Sequence, residues 1–273
     1  MLKNKIACAL TLYHPMPEDL NNVILYAKCF DLVLAYDNSE KTGDYECFRP
    51  YATIQVLSNG QNDGLAVSCH ACAMEAKRQG YDYIMYFDQD SRMEASQIQK
   101  LDDAICDLGD DIALFCPQVV YHNDPKKSLE SYTEIKRCIT SGSILNLKYY
   151  GDVLQFDERY FIDRVDIDLC KQAIDAGLKI VQVNECLLYQ TLGSNRQVWG
   201  KERTTHKPYR HYYMARNRLY FNDKYHVSKV VTMLQVLRHQ MKILFVEEDK
   251  AQKLSMVYEG MRDYRKGKMG KKE

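Results

Sequence analysis

Residues 83–92, YIMYFDQDSR, run five apolar or aromatic positions directly into two aspartates one residue apart. An apolar run of this length between polar flanks reads as a strand buried on both faces. Its end is costly, because neighbouring carboxylates repel each other and are expensive to desolvate. A divalent cation is the first candidate to offset that cost. Residues i and i+2 of a strand share a face, so Asp88 and Asp90 could reach one ion.

Working outward, strand and helix patterns alternate over the first 116 residues. Residues 5–13 (KIACALTLY), 31–39 (DLVLAYDNS), 52–59 (ATIQVLSN) and 111–117 (DIALFCP) read as further strands. Residues 17–30 read as a helix opened by Pro17 and acidic residues. Residues 64–79 read as a second helix N-capped by Asp63, and 94–107 as a third. Short apolar strands between helices indicate a parallel sheet covered on both faces, whose ligands bind beyond the carboxyl ends of the strands. YDNS (36–39), NGQNDG (59–64) and FDQDS (87–91) then share one rim.

The second half is less regular. Residues 137–147 read as a strand, 156–177 as a loop entering a helix, and 178–195 as a strand and a loop. Residues 209–223 follow a polar, basic segment. From 227 to 245 apolar residues recur at helical spacing with Lys229, Arg238 and Lys242 among them. A basic amphipathic helix can lie on anionic lipid, but packing against the catalytic domain accounts for the same spacing and is the expected arrangement.

The chain of 273 residues suffices for one large domain with an appendage. Lys+Arg (37) equals Asp+Glu (37), which gives no electrostatic case for a nucleic-acid partner. Residues 262–273 carry six basic and two acidic residues, a net +4 that reads as a solvated or membrane-facing tail. The N-terminus lacks a signal-peptide pattern, and no run approaches the roughly 20 apolar residues of a membrane span. The expected location is therefore cytoplasmic, with the inner face of the membrane open to it. Ten scattered cysteines read as reduced thiols. Cys69 and Cys72 of CHAC (69–72) read as the apolar face of a helix, not a metal pair.

Hard oxygen ligands at Asp88 and Asp90 favour Mg²⁺ or Mn²⁺, and two carboxylates alone make a weak site, so a diphosphate is implied. A second acidic cluster, Asp163, Asp166 and Asp168, lies in FIDRVDIDLC. It either caps a helix start or supplies a base for transfer from a diphosphate leaving group.

TLYHP (11–15), YDNS (36–39), residues 59–91, TSGSIL (140–145), residues 156–180, LGS (192–194) and YYMARN (212–217) occur in an order that resembles glycosyltransferase family 2. The resemblance is to its rhamnosyltransferase-like branch, and it covers essentially the whole chain. It implies an α/β GT-A (Rossmann-like) fold, an open mostly parallel sheet flanked by helices with a C-terminal helical extension. Residues 1–205 would be catalytic, with a nucleotide-binding half (1–116) and an acceptor-binding half (117–205), and 206–273 the extension.

The resemblance further implies a nucleotide-diphosphate sugar (dTDP or UDP), a divalent cation, and a saccharide or lipid-linked saccharide acceptor with peripheral membrane contact. Thr11, Tyr13, Asp37, Asn62, Gly64 and Asp88 correspond to donor-binding positions, and Asp88 and Asp90 to metal-binding ones. Asp166 corresponds to the base of an inverting mechanism, with Asp163 as rival or orienting partner. Asp168, Trp199 and Arg216 fall in acceptor or loop positions.

The chain departs from the pattern at Val165, where relatives carry an acid, and at Gln190, where they often carry a metal-binding His; His206 and His211 nearby read as surface residues. D-x-D-S after an apolar strand also fits a haloacid-dehalogenase-type phosphatase. A non-catalytic nucleotide-sugar-binding protein is the third reading.

Overall fold

The computed structural model describes residues 2–41, 43–109, 111–121, 125, 128–190, 194–198 and 201–273, which form two compact units. The first comprises residues 1–158 and 165–190, the second residues 159–164 and 191–273.

Unit one is built on β1 (Ile6–Leu12), β2 (Val33–Asp37), β3 (Ile54–Leu57), β4 (Tyr83–Asp88), β5 (Ile112–Val120), β6 (Tyr132–Glu134), β7 (Ile144–Asn146) and β8 (Lys179–Tyr189). They form one eight-stranded sheet in the order β3-β2-β1-β4-β7-β5-β8-β6. Pairings β1/β2, β1/β4, β2/β3 and β5/β8 are parallel, while β7 and β6 insert antiparallel. β7 occupies a fraction of the strand expected over 137–147. Gly142 interrupts that segment at φ +77, where a Cβ would stand 2.7 Å from Leu188 Cδ2, so the bend needs glycine.

The parallel register explains why the strand ends gather. Thr11 of β1 pairs with Asp88 of β4 on one side and Tyr36 of β2 on the other, and Leu12 pairs with Asp37. β2 is buried at every position and β1 at all but Thr11, as a strand covered on both faces must be.

Helices α1 (Pro17–Tyr26), α2 (Leu65–Arg78), α3 (Ala95–Asp107) and α4 (Val165–Asp175) accompany the sheet. The buried stripe of α2 is small (Ala66, Ser68, Cys69, Cys72, Ala73, Ala76), which accounts for both cysteines of CHAC. Gly64 at φ 89 is the residue before this helix, not Asp63. The Asp63 carboxylate instead accepts from the Tyr36 hydroxyl, Asn59 and Gln61. The core centres on Leu10, Leu12, Tyr26, Phe87 and Phe115, with the Tyr26 and Phe87 rings stacked at 4.1 Å. Burial of each such side chain contributes about 1.5–3 kcal/mol.

Unit two holds a hairpin of β9 (Ser194–Val198) and β10 (Lys201–Thr205) and three helices, α5 (Pro208–Lys224), α6 (Lys229–Val246) and α7 (Lys250–Arg265). The sequence reading did not separate α7 or the hairpin. α5 and α7 approach closely at Gly260, where a Cβ would meet the Tyr212 carbonyl at 2.4 Å.

The basic C-terminal stretch is not a loose tail. The Arg216 guanidinium donates to the Gly270 carbonyl at 2.7 Å, and the Lys272 N–H donates to the Tyr213 hydroxyl at 2.9 Å. Likewise His211 is fully buried, with Nδ1 2.9 Å from His239 Nε2, where a surface position was expected. His206 is half-buried.

Candidate active site

The DQDS turn at the end of β4 is held from several sides within unit one. Tyr26 serves as a post beneath it, its hydroxyl donating to the Ser91 carbonyl at 3.0 Å and accepting the Met93 N–H at 3.0 Å. Ser141 of TSGS accepts the Asp88 N–H at 3.2 Å and donates to the Ser91 hydroxyl at 2.9 Å. Gln190, at the end of β8, donates to both serine hydroxyls. The middle residue, Gln89, turns back: its Oε1 accepts the Tyr13 N–H at 2.7 Å, its Nε2 donates to Asp19, and its carbonyl accepts from Asn22. A turn fixed by this many short-range bonds presents Asp88 and Asp90, both exposed, in one orientation. β4 ends at Asp88 and Asp90 stands in the turn, so the turn and not strand alternation sets their spacing.

The neighbouring rim is equally tied. Asn38, 4% exposed, accepts the N–H groups of Asp63 and Gly64 at 2.8 and 3.3 Å, joining YDNS to NDG. The Asn62 side chain also accepts the Gly64 N–H, at 3.2 Å. Thr11 Oγ1 lies 2.8 Å from Ser68 Oγ, and the Tyr13 side chain stands exposed beyond β1.

Asp37 turns inward. It is fully buried, and its two oxygens accept the N–H groups of Ser39 and Gly43 at 3.0 and 2.9 Å. Burial opposes its charge, but these hydrogen bonds outweigh it and hold the carboxyl below the ordinary range. In this conformation Asp37 shapes the loop after β2.

The three acids after Phe161 go three ways. Asp163 belongs to unit two. Burial pushes its carboxyl up against the pull of Arg164, Arg210 and Arg218, and it precedes a second left-handed residue (φ 70 at Asp163, 66 at Arg164). Consecutive left-handed non-glycine residues are strained. Asn217 holds this segment by donating to the carbonyls of Ile162 and Asp163 at 2.7 and 3.1 Å. Asp168 is 1% exposed on the buried side of α4 and accepts from Gln172 Nε2 at 2.6 Å. Asp166, in the first turn of α4, stays half-buried, with one oxygen accepting the Ile167 N–H at 2.8 Å.

The charges of Asp166 and Asp88 act on two common neighbours. Burial first, then the charges of Asp166 and Asp88, push the Tyr121 phenol up, and both charges also raise the buried Cys69 thiol after its burial and Cys72. Tyr26, Ser141 and Tyr121 were not singled out in the sequence, since Tyr26 and Ser141 bond the turn from 65 and 50 residues away and Tyr121 is tied to it only through the charges of Asp88 and Asp166. Arg216 is fully buried on the carbonyls of Gly270 and Arg159 and on Asn217 Oδ1, so it braces unit two. Trp199 lies outside the described residues.

The sequence profile of Glycosyl transferase family 2 matches residues 18–162, just over half of the chain. This chain belongs to glycosyl transferase family 2. The matched span contains the rim from α1 through the DQDS turn to Phe161. The family 2 chain is 24% identical over 259 residues to the dTDP-rhamnosyl transferase RfbF of Shigella flexneri, covering 86% of each.

Two solved structures share its fold. S. aureus TarS 1-349 in complex with UDP-GlcNAc is 13% identical at a TM-score of 0.53, over 96% of this chain and 73% of that one. GalNAc-T7 with UDP, GalNAc and Mn²⁺ is 12% identical at a TM-score of 0.56, over 75% of this chain. The family 2 chain spans 45% of the GalNAc-T7 structure. The fold is thus GT-A, and the reaction class is glycosyl transfer from a nucleotide-activated sugar. This removes the phosphatase reading.

For a metal, the donor set suits a hard ion that shares its shell with a diphosphate. Among the described residues no three His, Cys, Asp or Glu side chains are grouped to hold one, and Gln190 spends its amide nitrogen on the two serines. Asp88 and Asp90 offer carboxylate oxygens alone, which is what Mg²⁺ or Mn²⁺ accepts beside phosphate oxygens.

Proposed function

We propose that this chain is an inverting hexosyltransferase in which Asp166 removes the proton of the acceptor hydroxyl. The carrying observation is that Asp166, alone of the three clustered acids, is half-exposed in the same unit as Asp88, with both charges acting on Tyr121 and Cys69. As the hydroxyl attacks the anomeric carbon, its proton passes to the Asp166 carboxylate and the bond to the diphosphate breaks on the opposite face. Asp88 and Asp90 would hold Mg²⁺ or Mn²⁺ together with the donor diphosphate. When bound, that ion neutralises charge on the departing oxygens. Thr11, Tyr13, Asn62 and Gly64 line the donor side, and Asp37 supports it through the loop it fixes.

The donor is a dTDP or UDP sugar, with dTDP-rhamnose favoured by the RfbF relative and UDP-linked galactofuranose, galactose or glucose as the other hexoses to try. The acceptor is a saccharide or lipid-linked saccharide hydroxyl of a surface polysaccharide. We place the reaction in the cytoplasm, at the inner face of the membrane where the acceptor is lipid-linked.

A melting-shift screen of nucleotide sugars with Mn²⁺ and with Mg²⁺ tests the donor, and the anomeric configuration of the product tests inversion. Stabilisation by one sugar nucleotide only with a divalent ion, and an inverted product, are expected. A retained configuration would reject Asp166 as sole base, since double displacement needs a nucleophilic carboxylate.

A further inference from the structure

Helix α6 carries two apolar faces, and only one is used. Val236, His239 and Ile243 are buried, at spacings of three and four residues. On the other side, Val230, Leu234, Leu237, Met241 and Leu244 follow one another at the same spacings, with Phe245 beside them, each 42–63% exposed. At about 100° per residue the exposed set centres opposite the buried one and spans roughly a third of the helix circumference. A contiguous exposed apolar stripe on a folded protein marks an interaction surface.

Charge decides the occupant. Between Lys229 and Val246 the helix holds three cations (Lys229, Arg238, Lys242) and no carboxylate. The first acid after it, Glu247, is buried on Lys253 at 2.8 Å and lies 3.7 Å from Lys242, while Glu248 and Asp249 stand past the last turn. Arg238 borders the exposed stripe and Lys242 lies just beyond it, so two copies pressed face to face would bring like charges together. An anionic lipid surface accepts both the apolar stripe and its cations, because lysine and arginine stems lie along the interface with their heads among phosphates.

We propose that the exposed face of α6 docks on an anionic membrane surface, with Leu234, Leu237, Met241 and Phe245 entering the headgroup boundary. The basic C-terminal stretch is secondary, since Arg216 and Tyr213 hold it within unit two. The proposal extends the transferase reading only in placing a lipid-linked acceptor at that surface.

The full chain is to be floated with vesicles of phosphatidylcholine containing phosphatidylglycerol, and with vesicles of phosphatidylcholine alone. Binding to the anionic vesicles, weakened by salt, is expected. It should fall by at least about tenfold in a Leu237→Gln/Met241→Gln variant of unchanged melting temperature, because both side chains are already exposed in the free protein. A Lys229→Gln/Arg238→Gln variant should lose the preference for anionic vesicles. Absence of binding to both vesicle types overturns the proposal, as does equal binding by the Leu237→Gln/Met241→Gln variant. A concentration-dependent dimer that this variant dissolves would assign the face to a second copy instead. No donor or turnover enters the measurement, so its failure leaves the transferase reading standing.

Discussion

The side-chain nitrogen of Gln190 donates to the hydroxyl of Ser91 at 2.7 Å, and to that of Ser141 at 3.0 Å. One amide at the end of β8 therefore fixes the turn that presents Asp88 and Asp90. The position where the family resemblance leads one to expect a metal-binding histidine is here a bracket for that turn.

Gln190→Ala should remove both bonds and leave the serine pair with one partner fewer. A loss of about 1–2 kcal/mol in urea unfolding is expected, together with weaker nucleotide-sugar binding in calorimetry. Unchanged donor affinity would mean that the turn keeps its shape without Gln190.

Asp166 and Asp168 stand two residues apart on α4, on opposite sides of the helix, and should differ in kind. Asp166→Asn is expected to cut turnover by about a hundredfold to ten-thousandfold while donor affinity holds, the loss typical of a removed general base. Asp168→Asn should lower the melting temperature through its buried contact with Gln172 and spare turnover below that temperature. Full turnover in Asp166→Asn would return the role of base to Asp163.

Stability should fall on the acid side. Burial lowers His211 to about 4 and His239 to about 3, while Glu247 pulls the other way and Lys242, Lys253, His206 and Arg218 add to the lowering. Unfolded histidine titrates near ~6.5, so from about that pH downward the unfolded chain binds more protons than the folded one. Stability contributed by the neutral pair is fully present above pH ~6.5 and is lost toward pH 4 and below, at up to about 1.4 kcal/mol per pH unit for each proton. Glu247, which burial disfavours but its Lys253 bond holds below the ordinary range, adds a loss in the same direction. Melting temperatures recorded from pH 8 to pH 4 check this, and His239→Gln should flatten the slope.

Gly260→Ala should be poorly tolerated, since the added methyl would stand 2.4 Å from the Tyr212 carbonyl, a backbone atom of α5. Overpacking of this kind costs about 1–3 kcal/mol. A lower urea midpoint is expected, and an unchanged midpoint would show that α5 and α7 can separate without loss.

Elements buried on both faces were plain in the sequence. β1, β2 and β4 are continuous apolar runs because nothing around them is water, and the small stripe of α2 shows at helical spacing. Residues whose partners come from afar were not legible. Nothing local tells that His211 in a basic, tyrosine-rich stretch is buried beside His239 and Glu247. The same holds for the net charge of residues 262–273, which suggests solvation until Arg216 and Tyr213 supply partners for that backbone. At the site, the acids were legible by type and order, whereas the separation of Asp163, Asp166 and Asp168 depends on two left-handed residues and the phase of α4.

The flush ends of β1, β2 and β4, with Thr11 beside both Tyr36 and Asp88, bear on how such a protein can change. Side chains alternate along a strand, so one residue inserted or deleted in β1 would turn every following position to the opposite face. Lineages can therefore vary length freely in the surface connections, while these three strands accept only substitution. New sugar specificities are expected to arise by exchanging side chains and loops around a lip whose register does not move.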